Sequence, residues 1–385
     1  MNNKFIPFGK PLIGEMEKKA VASVLRGTAL THGPVCREFE HEFGKYHKNH
    51  WAVTLSNCTS AMFLSLKAYD IGQGDEVIVP AMTHIATAHC VSHTGAKVVF
   101  CDVDKKTGNI DFNKLKMKIS KRTKAVIIVH YVGLPAEMDE INKVVKNKNI
   151  LLIEDCAAAL GSKFDGNLVG TLSDIGCYSF YPTKHITTME GGILITKNKK
   201  LADKIRKLSS FGYNKNLYER SIPGVYDVDL LGYNLRMTEV AAAIGIQQLK
   251  RLPEFLKIRK RNAEKIKKYL SYTNNVNLLP SSLGKSEGSN FCVNVLLKSG
   301  GAKKRNSLLI KLKENNIGTS VHYPVSLPNS KYYKKIIKLK KKSKNEFVVS
   351  SYLASHTISL PCGPHLKDSD CKIIANTFLK CFKEL

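Results

Sequence analysis

The chain has 385 residues, 43% hydrophobic and 24% charged, which suits a folded protein with one large core and a second, smaller unit. No run of about eighteen or more apolar residues occurs, and the N-terminus MNNKFIPFGKPLIGEMEKK lacks the apolar core and cleavage site of a signal peptide, so no membrane span is expected and a cytoplasmic location is. The formal charge of +28 fits either a nucleic-acid-binding face or a lysine-rich solvated surface that also attracts an anionic substrate. The lysines are spread along the chain, with one dense run from Lys331 to Lys344, and this favours the second reading. Ten cysteines stand singly, with no C-x-x-C pair, as in a protein with reduced thiols, and no metal is expected.

In chain order, a lead-in segment and short amphipathic helix (Phe5 to Leu25) precede a loop (Ala29 to Pro34) and a helix, Val35 to Tyr46, with Phe39 and Phe43 on one face. Strand and helix then alternate. Trp51 to Leu55 is a strand, and the small polar turn Ser56-Asn57-Cys58-Thr59-Ser60 leads into a helix from Ala61 to Tyr69. Such a turn presents free amides suited to a phosphate; a plain cap by Ser56 or Thr59 explains it equally well. Further strands are expected at Asp75 to Pro80, Lys97 to Asp102, Ala125 to His130 and Ile150 to Glu154, with a helix from Ile85 to Ser92. An aromatic strand (Cys177 to Tyr181) and an apolar one (Ile193 to Thr196) flank the turn that carries Lys184. This rhythm predicts an α/β fold with a mostly parallel sheet, whose ligand lies beyond the strand C-termini.

Thr238 caps a patterned helix to Leu252, whose small residues Ala241, Ala242, Ala243 and Gly245 suggest close packing on the sheet or across a subunit interface. Pro253 is read as a break, giving a large domain at 1–252 and a linker helix (Glu254 to Tyr272) with a small α+β domain at 253–385. In the latter, strands are expected at Phe291 to Lys298, Gly318 to His322 and Thr357 to Leu360. Helices are expected at Lys303 to Asn316, Glu346 to Ser355 and Asp368 to Phe382.

Thr59, His84, Asp155 and Lys184 all fall at strand ends. A lysine among aromatics and glycines is partly desolvated and suited to a Schiff base with an aldehyde. A carboxylate between apolar and small residues needs a cationic partner, and a protonated pyridine nitrogen is one. Lys184, Asp155, a phosphate cup of Cys58-Thr59 with Ser179, and His84 as a flat group over a ring together match the needs of pyridoxal 5'-phosphate.

The blocks SNCTSA, AMTHIATA, IEDCAAALGS, YSFYPTKHITTMEGG and LGYNLRMTEVAAAIG, with GTSVHYP near the C-terminus, resemble the successive signatures of the DegT/DnrJ/EryC1/StrS aminotransferases, pyridoxal-phosphate enzymes acting on nucleotide-linked keto-sugars. The resemblance implies the aspartate-aminotransferase fold (PLP fold type I), usually a homodimer. It implies that Lys184 bonds the cofactor and shuttles a proton between Cα and C4', and that Asp155 meets the pyridine nitrogen. Cys58, Thr59 and Ser179 would hold the phosphate, Asn234 would reach the phosphate in the neighbouring subunit, and His84 would stack on the ring. Glu190 belongs to the same motif, and His322-Tyr323 is either close to the sugar or structural. Two positions depart from the pattern: Ala158 stands where Gln or His contacts the ring oxygen, and Met189 replaces a glycine.

The reaction so implied takes nitrogen from glutamate, releasing 2-oxoglutarate, and delivers it to a nucleotide-linked keto-sugar, in the first instance C4 of a 4-keto-6-deoxyhexose, for amino-sugar and surface-polysaccharide synthesis. The alternatives are a 3-keto-sugar aminotransferase, a pyridoxamine-phosphate-dependent dehydratase, and a non-catalytic regulator of the same fold. In the dehydratase branch histidine replaces the lysine; here Lys184 is present, with His185 beside it.

Overall fold

The computed structural model describes residues 4–31, 33–215, 220–271, 273–274, 276–337 and 346–385. The second half of the basic run from Lys331 to Lys344 lies outside them. After α1 (Glu15–Leu25) and α2 (Pro34–Tyr46), the chain alternates β1 (Trp51–Leu55), α3 (Cys58–Ala68), β2 (Glu76–Pro80), α4 (Ile85–Ser92) and β3 (Lys97–Cys101). It continues with α5 (Phe112–Lys118), β4 (Thr123–Val129), α6 (Met138–Val145), β5 (Leu151–Asp155), the short β6 (Lys163–Phe164) and β7 (Asn167–Leu168), β8 (Ile175–Ser179), β9 (Gly192–Thr196) and α7 (Lys199–Ser209).

Seven of these strands form one sheet in the order β1-β9-β8-β5-β4-β2-β3. Only β9 runs against its neighbours; the pairs β8/β5, β5/β4, β4/β2 and β2/β3 are parallel. The C-terminal ends of β1, β2, β5 and β8 therefore share one edge with the N-terminal end of β9. The strands read as unbroken apolar runs because helices cover both faces, and Val53, Val77, Ile127, Ile153 and Leu194 are buried between them.

The two helices expected on either side of Pro253 are one, α8 (Glu239–Leu270), with the proline inside it. Proline removes one hydrogen bond, but both halves of α8 are pinned by buried residues: Leu252 and Phe255 in one apolar cluster, Ala263, Ile266 and Leu270 in another. The small residues of its first half receive α2, and a Cβ on Gly245 would lie 2.6 Å from the Phe39 ring.

Beyond α8 come β10 (Val276–Leu278), the short β11 (Ser282–Leu283) and β12 (Ser286–Glu287), β13 (Val293–Leu297), α9 (Gly301–Glu314), α10 (Lys331–Ile337), α11 (Val348–His356), β14 (Thr357–Leu360) and α12 (Asp368–Lys383). Strands β10, β13 and β14 form an antiparallel sheet. The strand expected at Gly318 to His322 is reduced to a single bridge, Ser320 to Ser359. A further small sheet, β11-β12-β6-β7, joins segments over 100 residues apart in sequence, a pairing with no local signal.

Candidate active site

The expected turn at Lys184 forms, its amide donating to the Tyr181 carbonyl at 2.9 Å. The side chain is part-buried, and its Nζ lies 5.0 Å from the centre of the Phe291 ring. Among the described residues Nζ has no hydrogen-bond or ion-pair partner. Burial lowers its pKa, and the nearby Asp155 charge pulls the other way. An amine with a lowered pKa has more of the free-base form a carbonyl requires.

Asp155 ends β5 and is 4% exposed. Its Oδ2 accepts from Thr87 Oγ1 at 2.8 Å, and its Oδ1 accepts from the Ala157 amide at 3.1 Å. No cation pairs with it among the described residues. A buried carboxylate with two donors and no counterion is expensive, and a protonated ring nitrogen is the chemistry that relieves it. Thr87 lies one helical turn beyond His84; the sequence placed that hydroxyl, but nothing local joined it to Asp155.

At α3 the helix starts earlier than expected, and neither Ser56 nor Thr59 caps it. Asn57 is the cap, its side chain accepting the Ser60 amide at 2.8 Å, while its carbonyl accepts from the Ala61 amide. Among the described residues the amides of Cys58 and Thr59 and the Thr59 hydroxyl have no partner, an anion site by geometry and dipole. Gly192 permits this arrangement, because a Cβ there would lie 2.3 Å from the Asn57 carbonyl carbon and 2.5 Å from the Cys58 nitrogen. Ser179 is paired with Gly192 across β8 and β9, so it ends beside the same turn.

His84 caps α4, its Nδ1 accepting the Ala86 amide at 3.2 Å, and its ring meets Tyr323 edge-on at 5.9 Å. Desolvation and the Lys184 charge lower its pKa. Tyr323 is joined to His322, whose ring packs 5.6 Å from Phe8 and 5.3 Å from Phe291. Ser359 Oγ donates to Asn294 Oδ1 at 2.5 Å, so its contact with His322 Nδ1 at 2.8 Å has the imidazole as donor. Burial, helped by the charges of Lys184 and His84, pushes His322 down to about 3. Phe8 and Phe291 carry no motif, and only the tertiary structure brings Phe291 to Lys184 and Phe8 to Phe291 and His322.

The remaining expected residues are less enclosed or carry no polar contact to this cluster. Glu190 and Asn234 are exposed, and Asn234 bridges to Ser210 through its backbone. Met189 is 52% exposed with φ at 70°, the left-handed region where glycine is at ease, so the departure leaves the turn intact. Ala158 packs with Phe291 and Cys292 and presents no polar group. His185, next to Lys184, is buried against Phe291 with neither ring nitrogen hydrogen-bonded.

The buried group His130, Glu154 and Cys156 has metal-ligand composition, but the imidazole and the carboxylate are already engaged. His130 Nδ1 accepts the Ala136 amide, so Nε2–H donates to Glu154 at 3.0 Å; Glu154 also accepts from the Gly170 and Leu172 amides and from Ser173.

The profile of the DegT/DnrJ/EryC1/StrS aminotransferase family matches residues 11–379. The chain belongs to that family. This aminotransferase is 36% identical to the spore coat polysaccharide biosynthesis protein SpsC of Bacillus subtilis over 376 residues, 96% of this chain and 95% of the relative. It is also 36% identical to the GDP-perosamine synthase of Escherichia coli O157:H7 over 328 residues, 84% of this chain and 86% of the relative. In structure it superimposes on the pyridoxamine-phosphate form of the putative sugar aminotransferase Spr1654 of Streptococcus pneumoniae with a TM-score of 0.92, at 28% identity, covering 98% of this chain and 99% of that one. It is thus a pyridoxal-phosphate-dependent sugar aminotransferase with the fold type I architecture. The residues present fit that cofactor: an unpaired amine, an uncompensated buried carboxylate and a free amide cup lie at one sheet edge.

Proposed function

We propose that the aminotransferase moves nitrogen from glutamate to C4 of a 4-keto-6-deoxyhexose carried on a nucleoside diphosphate, for amino-sugar and surface-polysaccharide synthesis in the cytoplasm. The observation that carries the chemistry is a Lys184 amine within reach of the Asp155 charge, neither of them hydrogen-bonded or ion-paired to a group of opposite charge among the described residues. The sugar class is supported by the names of its relatives, one a GDP-perosamine synthase and another a spore coat polysaccharide biosynthesis protein. The basic surface suits a diphosphate substrate.

When bound, pyridoxal phosphate supplies an electron sink and a carrier for the amine. Lys184 would hold it and would hold and move the proton at the carbon exchanging nitrogen. Asp155, fixed by Thr87 and the Ala157 amide, keeps the ring nitrogen charged. The Cys58 and Thr59 amides, the Thr59 hydroxyl and Ser179 hold the phosphate, and His84 covers the ring face. Glu190, His322 and Tyr323 are assigned to the sugar side.

A second copy of the chain completes the site. Asn234 is exposed at the base of a flap whose Ile222, Val225 and Leu231 are 61%, 59% and 87% exposed, an apolar display that suits a subunit contact; Asn234 then reaches the partner's phosphate site. Among the described residues no helix is long and apolar enough to cross a membrane.

The test is incubation with glutamate and a panel of nucleotide keto-sugars, followed by mass analysis and location of the new amine. Amination at C4 supports the reading, amination at C3 moves it to the rival regiochemistry, and turnover of no keto-sugar ends it.

A further inference from the structure

Arg259 lies in the middle of α8 and is 5% exposed. No carboxylate pairs with it among the described residues, and its Nε is buried without a hydrogen-bond partner. Its guanidinium lies beside the Cys362 thiol and donates to two carbonyls: Nη1 to Phe291 O at 3.2 Å, and Nη2 to Lys184 O at 3.3 Å. His185 and His365, near the same cation, contribute three more orphaned ring nitrogens. Gly363 leaves room there, since a Cβ would lie 2.7 Å from His365 Nδ1 and 3.8 Å from Arg259 Nη2.

A buried guanidinium without an anion is destabilising, and an apolar residue of similar size would serve the core better. Its two acceptors are not ordinary backbone groups. One belongs to the residue that carries the amine, the other to the residue whose ring lies 5.0 Å beneath that amine. Along α8, Arg259 also separates Phe255, in the apolar cluster beside the seven-stranded sheet, from Ala263 and Ile266, in the cluster around β10, β13 and β14. The helix thus places one rigid, planar donor across the seam at which Lys184 and Phe291 face each other, and a planar fork can hold two carbonyls at a fixed separation.

We propose that Arg259 is a positioning residue, whose bridge between the Lys184 and Phe291 carbonyls sets where the Lys184 amine stands for proton transfer. The proposal rests on the assignment of Lys184 as the amine that bonds the cofactor. That assignment is checked separately by borohydride reduction of the wild-type holoenzyme and peptide mapping.

The experiment compares Arg259→Met and Arg259→Lys with wild type as holoenzymes and, after cofactor removal, as apoproteins. Arg259→Met should lower kcat by about 10- to 100-fold, the scale of an ångström-sized misplacement, with KM for glutamate within about 3-fold. The melting temperature of the apoprotein should be unchanged or raised, because an uncompensated charge has been removed. The induced circular dichroism of the visible cofactor band should weaken, since the amine no longer fixes the ring's orientation. Arg259→Lys keeps the charge but not the fork, so it should restore stability to the wild-type value and only part of kcat. If Arg259→Met fails to fold, Arg259→Lys decides: wild-type kcat and dichroism there would overturn the proposal. A fall in melting temperature with kcat and dichroism retained in Arg259→Met would overturn it as well, reducing Arg259 to a structural residue. Trapping of the cofactor on a residue other than Lys184 in wild type would instead remove the functional reading on which the proposal stands.

Discussion

Lys184→Met should make the cofactor-free protein more stable while ending turnover. The Lys184 ammonium is part-buried and has no hydrogen-bond or ion-pair partner among the described residues. Leaving such a group unpaired costs about 1–3 kcal/mol, and the Phe291 ring beneath it returns about 0.5–1 kcal/mol. The net penalty is therefore about 0.5–2 kcal/mol, and a methionine that keeps the contact with Phe291 removes it. With an unfolding entropy of about 2.1 cal/mol/K per residue over a chain of this length, the melting temperature should rise by roughly 1–3 °C. The pH dependence provides a second check. The folded pKa of Lys184 lies below its usual 10.5, so between those two values the unfolded chain binds more protons and wild-type stability rises with pH. Below the folded pKa the penalty is fully present, and the advantage of Lys184→Met should be constant there and shrink as pH climbs toward 10.5. The assay is thermal melting of both apoproteins from neutral to alkaline pH. A variant less stable than wild type at neutral pH, or an advantage that does not shrink, would refute the claim that this amine is held without a partner.

Thr87→Val keeps the volume but removes the donor to Asp155 Oδ2. Hydrogen bonds to charged groups are worth about 1.5–3 kcal/mol, so cofactor affinity, read by absorption titration, should weaken about 10- to 100-fold; unchanged affinity would show that Thr87 does not hold the carboxylate. Gly192→Ala drives a Cβ to 2.3 Å from the Asn57 carbonyl carbon, so the first turn of α3 must shift and the purified variant should be colourless; a yellow, active variant would contradict the phosphate-cup geometry. His47 and His322 are both pushed by burial to about 3. Each takes up a proton only on unfolding between its usual 6.5 and about 3, so stability should fall with acid across that window by up to about 1.4 kcal/mol per pH unit per histidine. Their imidazole NMR signals should stay flat between pH 7 and 5, and a midpoint near 6 would contradict their burial.

The order of strands and helices was legible in local pattern because apolar runs with period 2 or 3.6 are local. β1, α4 and β14 keep the expected bounds, and most other elements move by only one to three residues. The residues at the strand ends were legible for the same reason: a parallel sheet sends its C-termini to one edge, so Thr59, His84, Asp155 and Lys184 follow from their positions along the chain. Where two local signals competed, the sequence was less reliable. Asn57, Ser56 and Thr59 are all capable caps, and only the approach of Gly192 fixes which one starts α3. Pro253 looked like a break, yet buried contacts on both sides keep α8 whole.

Sequence alone therefore determined the sheet, the cofactor and the family, because each is written in residue types at fixed spacing. The tertiary structure decided the surroundings of the amine: Phe291 beneath it, Thr87 on its acidic partner, and Arg259 across the carbonyls behind it. These contacts join residues distant in sequence, and their energies depend on burial, which no local pattern records.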